Sequence, residues 1–516
     1  MLDGAASIIS TGTDTVPKLL LEHGEKRPNS KALRAQIGGK WQTWHWSQMI
    51  DETRLWAGGL AALGFKHGDR IILMGRDRAQ LYWAMAAAQL LGGVPVLVHE
   101  DCPAPKLAAI IDHEKARFAV IDDQDSQDWL LPLIADTPLA HLIQLQDDLV
   151  TAQDGPDSPV QTRQSLHDQG QQWHQDKPDF FAGEAGKGRG SDLAVTFYSA
   201  DPEPVTMALS NPEVGVGPQG LSLTFDNVLV TARAAGLFDG VSDKAVALAH
   251  LPISDPADHL VSYAQHYLFG FQLVCAGHRD GLIEDLRATR PTYLVGTPAT
   301  FITIVEAIKQ RRDNARLFNK WRYRTFLNHA ENLGQDRLTG QGVSWGRRLV
   351  YWFGQELLYG GLKKRWGLDR LLLAYGVSGR LADDTLALLH GLRVTLKQIY
   401  GPAAASVFVT IPPSGYPSAY PPGTPTEGST RPGSDPARDQ ARPRSTGLPL
   451  PGVELKIGPD NRVLIKSPGI AKNPVTQAAI KGDGWYQTDD QGYVDADGQL
   501  IITRWAAATP AQTPAV

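Results

Sequence analysis

Over most of its length the chain alternates between short, almost continuous apolar runs and longer segments with helical periodicity, and this alternation restricts the fold more than any other feature. A helical pattern from Trp46 to Leu63 leads into the run RIILMG (70–75); a second, Ala79 to Leu91, leads into PVLV (95–98) and then FAVID (118–122). Runs of this length without polar alternation read as strands buried on both faces, and strands separated by helices predict a mainly parallel sheet. From Asp192 to Tyr400 the layout is echoed by AVTFYS (194–199), AVALAHLP (245–252), FQLVCAG (271–277), TYLVGT (292–297), LLLAYG (371–376) and LKQIYG (396–401). The expected fold class is α/β: two stacked αβ-layered subdomains, at 14–190 and 191–411.

The pattern then changes. Pro, Gly, Ser and Thr crowd residues 412–446, which hold too little apolar surface to fold alone and are expected to form a disordered loop. After it GVELKIG (452–458), RVLIKSPG (462–469), GWYQTDDQGYVD (484–495) and QLIITRW (499–505) predict a small β-rich subdomain over 447–504, followed by a frayed tail over 505–516.

A formal net charge of −5 removes any global basic field, so nucleic acid is not expected as a partner. The two cysteines, Cys102 and Cys275, lack metal-ligand or disulfide-framework spacing. The N-terminus has no basic segment before an apolar core, and the uncharged stretch Leu81 to Val98 is broken by Gly92, Gly93 and Pro95. A cytoplasmic protein is expected, with peripheral contact on the inner membrane face as an open alternative. That alternative comes from residues 311–370, where thirteen Lys and Arg stand against five Asp and Glu, interleaved with Trp321, Tyr323, Trp345, Tyr351, Trp352 and Trp366. The segment fits an anionic membrane surface, and equally a solvated basic face over packed aromatics.

Several stretches carry a resemblance. PLPGVELKI (449–457), IKSPGIAKNP (465–474) and GDGWYQTDDQGYVDADGQLIITR (482–504) resemble, in order and spacing, the end of the large domain of adenylate-forming enzymes. Residues 15–20, 43–49, 59–75, 91–123, 221–229, 247–259, 283–308 and 375–392 are similar to other parts of that domain in long-chain fatty acyl-CoA synthetases. The resemblance spans roughly residues 14 to 504 and implies the large N-terminal domain of that family. In it a carboxylate attacks the α-phosphate of ATP, and coenzyme A displaces AMP from the acyl-adenylate. The implied ligands are therefore ATP or AMP, coenzyme A, and a fatty acid or acyl-CoA, with Mg²⁺ only if the chain is active.

Residue by residue, the resemblance implies a nucleotide site. Asp490 matches the carboxylate that binds the ribose hydroxyls, a plain turn aspartate being the alternative. Arg504 matches an arginine that contacts ribose or phosphate. Tyr400 and Gly401 match the pair whose ring stacks on adenine, and Gly376, Ser378 and Gly379 lie in the other wall of the slot. Asp489 takes the place of the motif's usual glycine and is expected to add negative charge beside the nucleotide. An apolar acyl tunnel would lie near His250 to His259 and the helix from Thr300 to Ile308.

Other family parts are replaced. The phosphate loop, normally rich in Ser, Thr and Gly and ending in Pro-Lys-Gly, is here degenerate. Ser199 opens it, Asp201 and Glu203 stand where phosphates would approach, Pro202 and Pro204 have no N–H to donate, and Gln219 precedes Gly220 where lysine is usual. Pro402, Ala403 and Ala404 follow Gly401 where the family has its Mg²⁺-binding glutamate, and Asp255 stands where relatives carry histidine. The family's small C-terminal domain, with its adenylation lysine, is also expected to be missing. No catalytic residue or metal ligand is assigned. The leading expectation is a catalytically impaired homologue that binds an acyl group or adenine nucleotide, or acts with a partner. The alternatives are an active ligase completed in trans by a protein that supplies a C-terminal domain, and a membrane-surface scaffold.

Overall fold

The computed structural model describes residues 13–75, 78–122, 128, 130–145, 158–198, 218–277, 281–313, 317–338, 354, 359–413 and 444–506. Two seven-stranded sheets and one six-stranded sheet organise them. One large sheet runs in the order Val160–Thr162, His141–Gln144, Phe118–Ile121, Arg70–Leu73, Val94–Val98, Leu193–Tyr198, Leu221–Thr224, parallel except for the last strand. The other runs Leu396–Gln398, Leu373–Gly376, Tyr293–Gly296, Val246–Ala249, Gln272–Cys275, Lys31–Ile37, Lys40–His45, again with one antiparallel edge. The α/β expectation holds, and the continuous apolar runs are the double-faced buried strands: every residue of Val94–Val98, Phe118–Ile121 and Tyr293–Gly296 is buried.

Strand membership does not follow chain order. The early hairpin Lys31–His45 completes the sheet built mostly from residues 246–398, whereas Leu193–Tyr198 and Leu221–Thr224 complete the sheet built from residues 70–162. A boundary between residues 190 and 191 therefore cuts through one sheet, because backbone pairing, not order in the sequence, decides which strands share a layer. The exchange is reinforced by buried hydrogen bonds. Tyr82 donates to Asp258 at 3.0 Å, Tyr263 donates to the Gln89 side chain at 2.8 Å, and Gln89 donates to the Ala194 carbonyl at 2.8 Å. Asp258 and the entirely buried π-helix His259–Gln265 sit at the centre of this contact.

The third sheet is antiparallel, in the order Thr410–Ile411, Arg444–Pro449, Leu500–Arg504, Tyr486–Val494, Arg462–Lys466, Glu454–Ile457. Most of the 412–446 loop and residues 507–516 lie outside the described residues. From the basic segment, the helix Leu317–Leu338 crosses the helix Asp383–Gly391 at very short range. A Cβ at Gly334 would sit 1.8 Å from the Ala387 carbonyl oxygen, and one at Gly391 would sit 2.0 Å from that of Ala330. Among the segment's aromatics, Trp366 is buried and Tyr323 partly so, while Trp345, Tyr351, Trp352 and the Trp321 side chain fall outside the described residues. No helix among the described residues is long and apolar enough to cross a membrane.

Candidate nucleotide site

Two parallel strands of the second sheet, Leu373–Gly376 and Leu396–Gln398, end side by side, and ligands of open α/β sheets bind outside such carboxyl ends. Gly376 closes the first strand. The turn after it carries Ser378, exposed and at φ +56°, and Gly379 at φ +142°. Gln398 braces this turn: its side-chain oxygen accepts from the Leu381 N–H at 2.8 Å, and its amide nitrogen donates to the carbonyls of Gly379 and Gly376 at 2.9 and 3.2 Å. Sequence reasoning did not single out Gln398, because the burial that marks it appears only in the fold.

Tyr400 follows at the end of the neighbouring strand. Gly401 has no room for a side chain, since a Cβ there would lie 2.0 Å from the Val407 carbonyl oxygen. The Tyr400 ring is 2% exposed and meets Trp505 edge-on at 5.7 Å, in one cluster with Val409 and with Val463, Ile465 and Ile502 from the antiparallel sheet. Its hydroxyl donates to Asp490 Oδ2 at 2.8 Å. An adenine ring therefore reaches the Tyr400 face only if the Trp505 packing opens.

Asp490 is 8% exposed. Its Oδ1 accepts from the Ala506 backbone N–H at 2.7 Å, so both carboxylate oxygens already have a donor from the chain. Burial pushes its pKa up and the neighbouring Asp489 adds to this; the hydrogen bonds from Ala506 and Tyr400 pull it back down, and the net direction is upward. Each carboxylate oxygen has a second lone pair, so the group can still accept from a ribose diol. The Tyr400 hydroxyl is held far above its usual range by burial and by the Asp490 charge, which keeps it a donor. Thr488 fixes the approach: its hydroxyl donates to the Val463 carbonyl at 2.9 Å and accepts from the Asp490 N–H at 3.3 Å.

Asp489 is turned away from this site. Along Tyr486–Val494 burial alternates, with Thr488 and Asp490 inward and Asp489 outward. Its carboxylate pairs with Arg462, which also reaches the Thr488 carbonyl at 3.4 Å. The extra acid is thus paired across the strand pair, while its charge still adds to the rise in the Asp490 pKa. Arg504 ends its strand exposed and in register with Gln491, next in the chain to Asp490.

Ser199, Asp201 and Glu203 lie outside the described residues. Gly220 and Gln219, both half-buried, precede the strand Leu221–Thr224. The Gly220 carbonyl accepts from the Asn473 side chain at 3.0 Å, which ties the end of the loop to the β-rich subdomain. After Gly401, Pro402, Ala403 and Ala404 carry no side-chain oxygen, and the Ser406 hydroxyl donates to the Gly469 carbonyl at 2.7 Å. This stretch does not fit a Mg²⁺ site of the glutamate type. Asp255 instead caps the short helix Pro256–Asp258, accepting from the Ala257 N–H at 2.8 Å. In the acyl region suggested by the sequence, His250 lies 3.3 Å from the Thr300 hydroxyl and His259 is buried against Phe197 and Tyr263.

Known proteins share both sequence and fold with this chain. A long-chain-fatty-acid–CoA ligase of Xenopus laevis, ACSBG2, is 22% identical over 403 residues, 76% of this chain and 51% of its own length. Another, FadD15 of Mycobacterium bovis, is 22% identical over 508 residues, 95% of this chain and 74% of the relative. The chain spans about half the length of the first relatives it matches. A crystal structure of a long-chain-fatty-acid–CoA ligase, FadD1 of Archaeoglobus fulgidus, superposes with a TM-score of 0.64 at 14% identity, covering 95% of this chain and 83% of that one. The adenylation domain of a keto acid-selecting NRPS module gives 0.65 at 14% identity, covering 96% and 83%. The model of the AMP-binding enzyme family matches residues 20–200 and 217–470, so the unmatched gap falls on the degenerate loop and Asp490 lies beyond the matched end. With most of its length matched in this way, the chain belongs to the AMP-binding enzyme family.

Proposed function

We propose that this acyl-CoA ligase-like protein binds an adenine nucleotide beside Asp490 and is impaired in adenylation. The observation that carries the reading is the buried Asp490 carboxylate, held by Tyr400, Thr488 and Ala506 at the carboxyl ends of the parallel strands. A ribose diol is the matching ligand, because a carboxylate accepts two hydroxyl hydrogen bonds well. Impairment is supported by chemistry rather than by position alone. A triphosphate needs backbone N–H donors and cations, whereas Asp201, Glu203, Pro202, Pro204 and Gln219 occupy the loop, and no carboxylate follows Tyr400–Gly401 to anchor Mg²⁺. Losing one preorganised electrostatic group of this kind costs about 10²–10³ in rate. Fatty acid or acyl-CoA is the proposed second ligand, following the ligase activity for which the relatives are named. The charge of residues 311–370 supports a further element, contact with an anionic membrane surface.

Calorimetric titration with AMP, on the wild type and on Asp490→Ala, tests the nucleotide half. Binding that disappears in the variant is expected; no binding to the wild type would overturn the reading. ATP–pyrophosphate exchange with Mg²⁺ and a panel of fatty acids tests the impairment. Exchange by the wild type that Asp490→Ala abolishes would establish a working adenylation site instead.

A further inference from the structure

At the amino ends of the parallel strands, opposite the nucleotide site, the helix Gly360–Arg365 and the turn that follows it to residue 372 gather positive charge near one exposed apolar side chain. Leu372 is 73% exposed, the highest value for any large hydrophobe among the described residues. It is not on a loose loop: its N–H and that of Leu373 donate to the Thr292 carbonyl at 2.9 and 3.2 Å. Close to it in the chain stand Lys363, Lys364, Arg365 and Arg370, and the segment packs on the helix Leu282–Thr289, whose Arg287 also pairs with Glu284 at 3.6 Å. Arg287 covers the Trp366 ring at 4.4 Å and donates to the Arg365 carbonyl at 3.0 Å, which joins the helix Leu282–Thr289 to the turn. Lys363 lies close enough to Arg393 for the like charge to add to burial in lowering its pKa. Asp369 pairs with Arg290 and also feels the Lys364 charge, and Lys364, Arg365 and Arg370 are all exposed.

We propose that the face formed by Lys363, Lys364, Arg365 and Arg370 around Leu372 docks on an anionic phospholipid bilayer. This deepens the membrane reading of residues 311–370 and is independent of the nucleotide reading. Charge complementarity is local, since the chain as a whole carries −5 while this face is cationic. Leu372 selects lipid over other polyanions: an exposed leucine gains nothing on a phosphate backbone but is stabilised below headgroup level, while lysine and arginine stems can lie along the acyl boundary with their charges on phosphates. The geometry leaves the other site open. Leu373–Gly376 is four residues long, so docking at its amino end keeps Gly376 and the adjacent Tyr400 about 13 Å further from the surface, at about 3.3 Å per residue.

Sedimentation of the full chain with two vesicle types, pure phosphatidylcholine and equimolar phosphatidylcholine–phosphatidylglycerol, is the test. Partition into the second type only is expected. Each surface cation contributes about 1 kcal/mol, roughly fivefold in partition, so Lys364→Gln/Arg370→Gln should lower it about 25-fold. Leu372→Ser should lower it severalfold, with an unchanged melting temperature and unchanged response to AMP showing an intact fold. A Leu372→Cys variant carrying an environment-sensitive fluorophore should shift to the blue on anionic vesicles; both native cysteines are buried and spare from labelling. Equal partition into neutral vesicles, no effect of the substitutions, or a fluorophore that keeps its aqueous emission would each overturn the proposal. So would capture by a polynucleotide with no vesicle partition, which would assign the face to nucleic acid.

Discussion

Replacing His259 with phenylalanine should remove one proton from the acid sensitivity of the fold. The imidazole is 2% exposed on the buried π-helix, with Phe197 edge-on at 5.3 Å, Tyr263 at 5.0 Å, and no hydrogen-bond partner for Nδ1. Burial alone pushes its pKa down to about 3. In the unfolded chain a histidine titrates near ~6.5. Below that pH the unfolded state takes up a proton that the folded state refuses until about pH 3, so the stability contributed is complete above ~6.5 and falls through that window. At 1.36 kcal/mol per pH unit, roughly 2 kcal/mol is lost by about pH 5 from this residue. Phenylalanine keeps the ring contacts and cannot protonate. At pH 7 the substitution should be neutral or stabilising by about 1–3 kcal/mol, because a buried nitrogen without a partner is removed. Urea unfolding of both proteins at pH 7 and pH 5 measures the effect. The difference in favour of the variant should grow by roughly 2 kcal/mol at the lower pH. A difference that is the same at both values would refute the argument, since it would mean that the folded protein admits the proton. His266, also held at about 3, remains in both proteins and cancels in the comparison.

Three other predictions concern the site and the core. Asp490 has its pKa raised by burial, so its ionised form opposes folding above that pKa. Asp490→Asn should therefore raise the melting temperature at neutral pH, converge with the wild type in acid, and abolish AMP binding; a lower melting temperature at pH 7 would contradict this. Ala506→Pro removes the N–H bonded to one lone pair of Asp490 Oδ1 and leaves that oxygen wholly to the ribose; if the gain is one hydrogen bond, about 1 kcal/mol, the AMP Kd should fall about fivefold. An unchanged Kd would show that the 505–506 segment does not compete with ribose. Lys397 and Asp239 form a side-chain ion pair 3% and 1% exposed, with the Tyr375 hydroxyl donating to the same carboxylate at 2.5 Å. Lys397→Met alone should cost about 3–5 kcal/mol in chemical denaturation by leaving that carboxylate buried and unpaired, and Asp239→Asn added to it should recover most of the loss.

Local pattern was enough for most individual elements, because hydrophobic periodicity is written within ten or so residues. The helix Trp46–Ala62, the strands Arg70–Leu73 and Tyr293–Gly296, and the β-rich end after residue 447 were all legible in this way. The family was legible too, since ordered motifs such as GDGWYQTDDQGYVDADGQLIITR keep their spacing whatever the fold does around them. Even the outward turn of Asp489 was implicit, because period-two alternation puts it opposite Asp490 once the segment is a strand.

Tertiary structure decided what depends on partners distant in sequence. Which sheet owns the hairpin Lys31–His45 is settled by pairing with Gln272–Cys275, more than two hundred residues away. Asp489 is paired with Arg462 from a neighbouring strand, and the turn beside the candidate site is braced by Gln398, contacts that no local window contains. The same is true of Asp490: its residue type and motif were readable, but its burial, its raised pKa and the Ala506 N–H on its second oxygen arise only when the antiparallel sheet closes over Tyr400. Periodicity reports which face of an element is apolar; desolvation and hydrogen bonding depend on what is packed against that face, and only the folded chain supplies it.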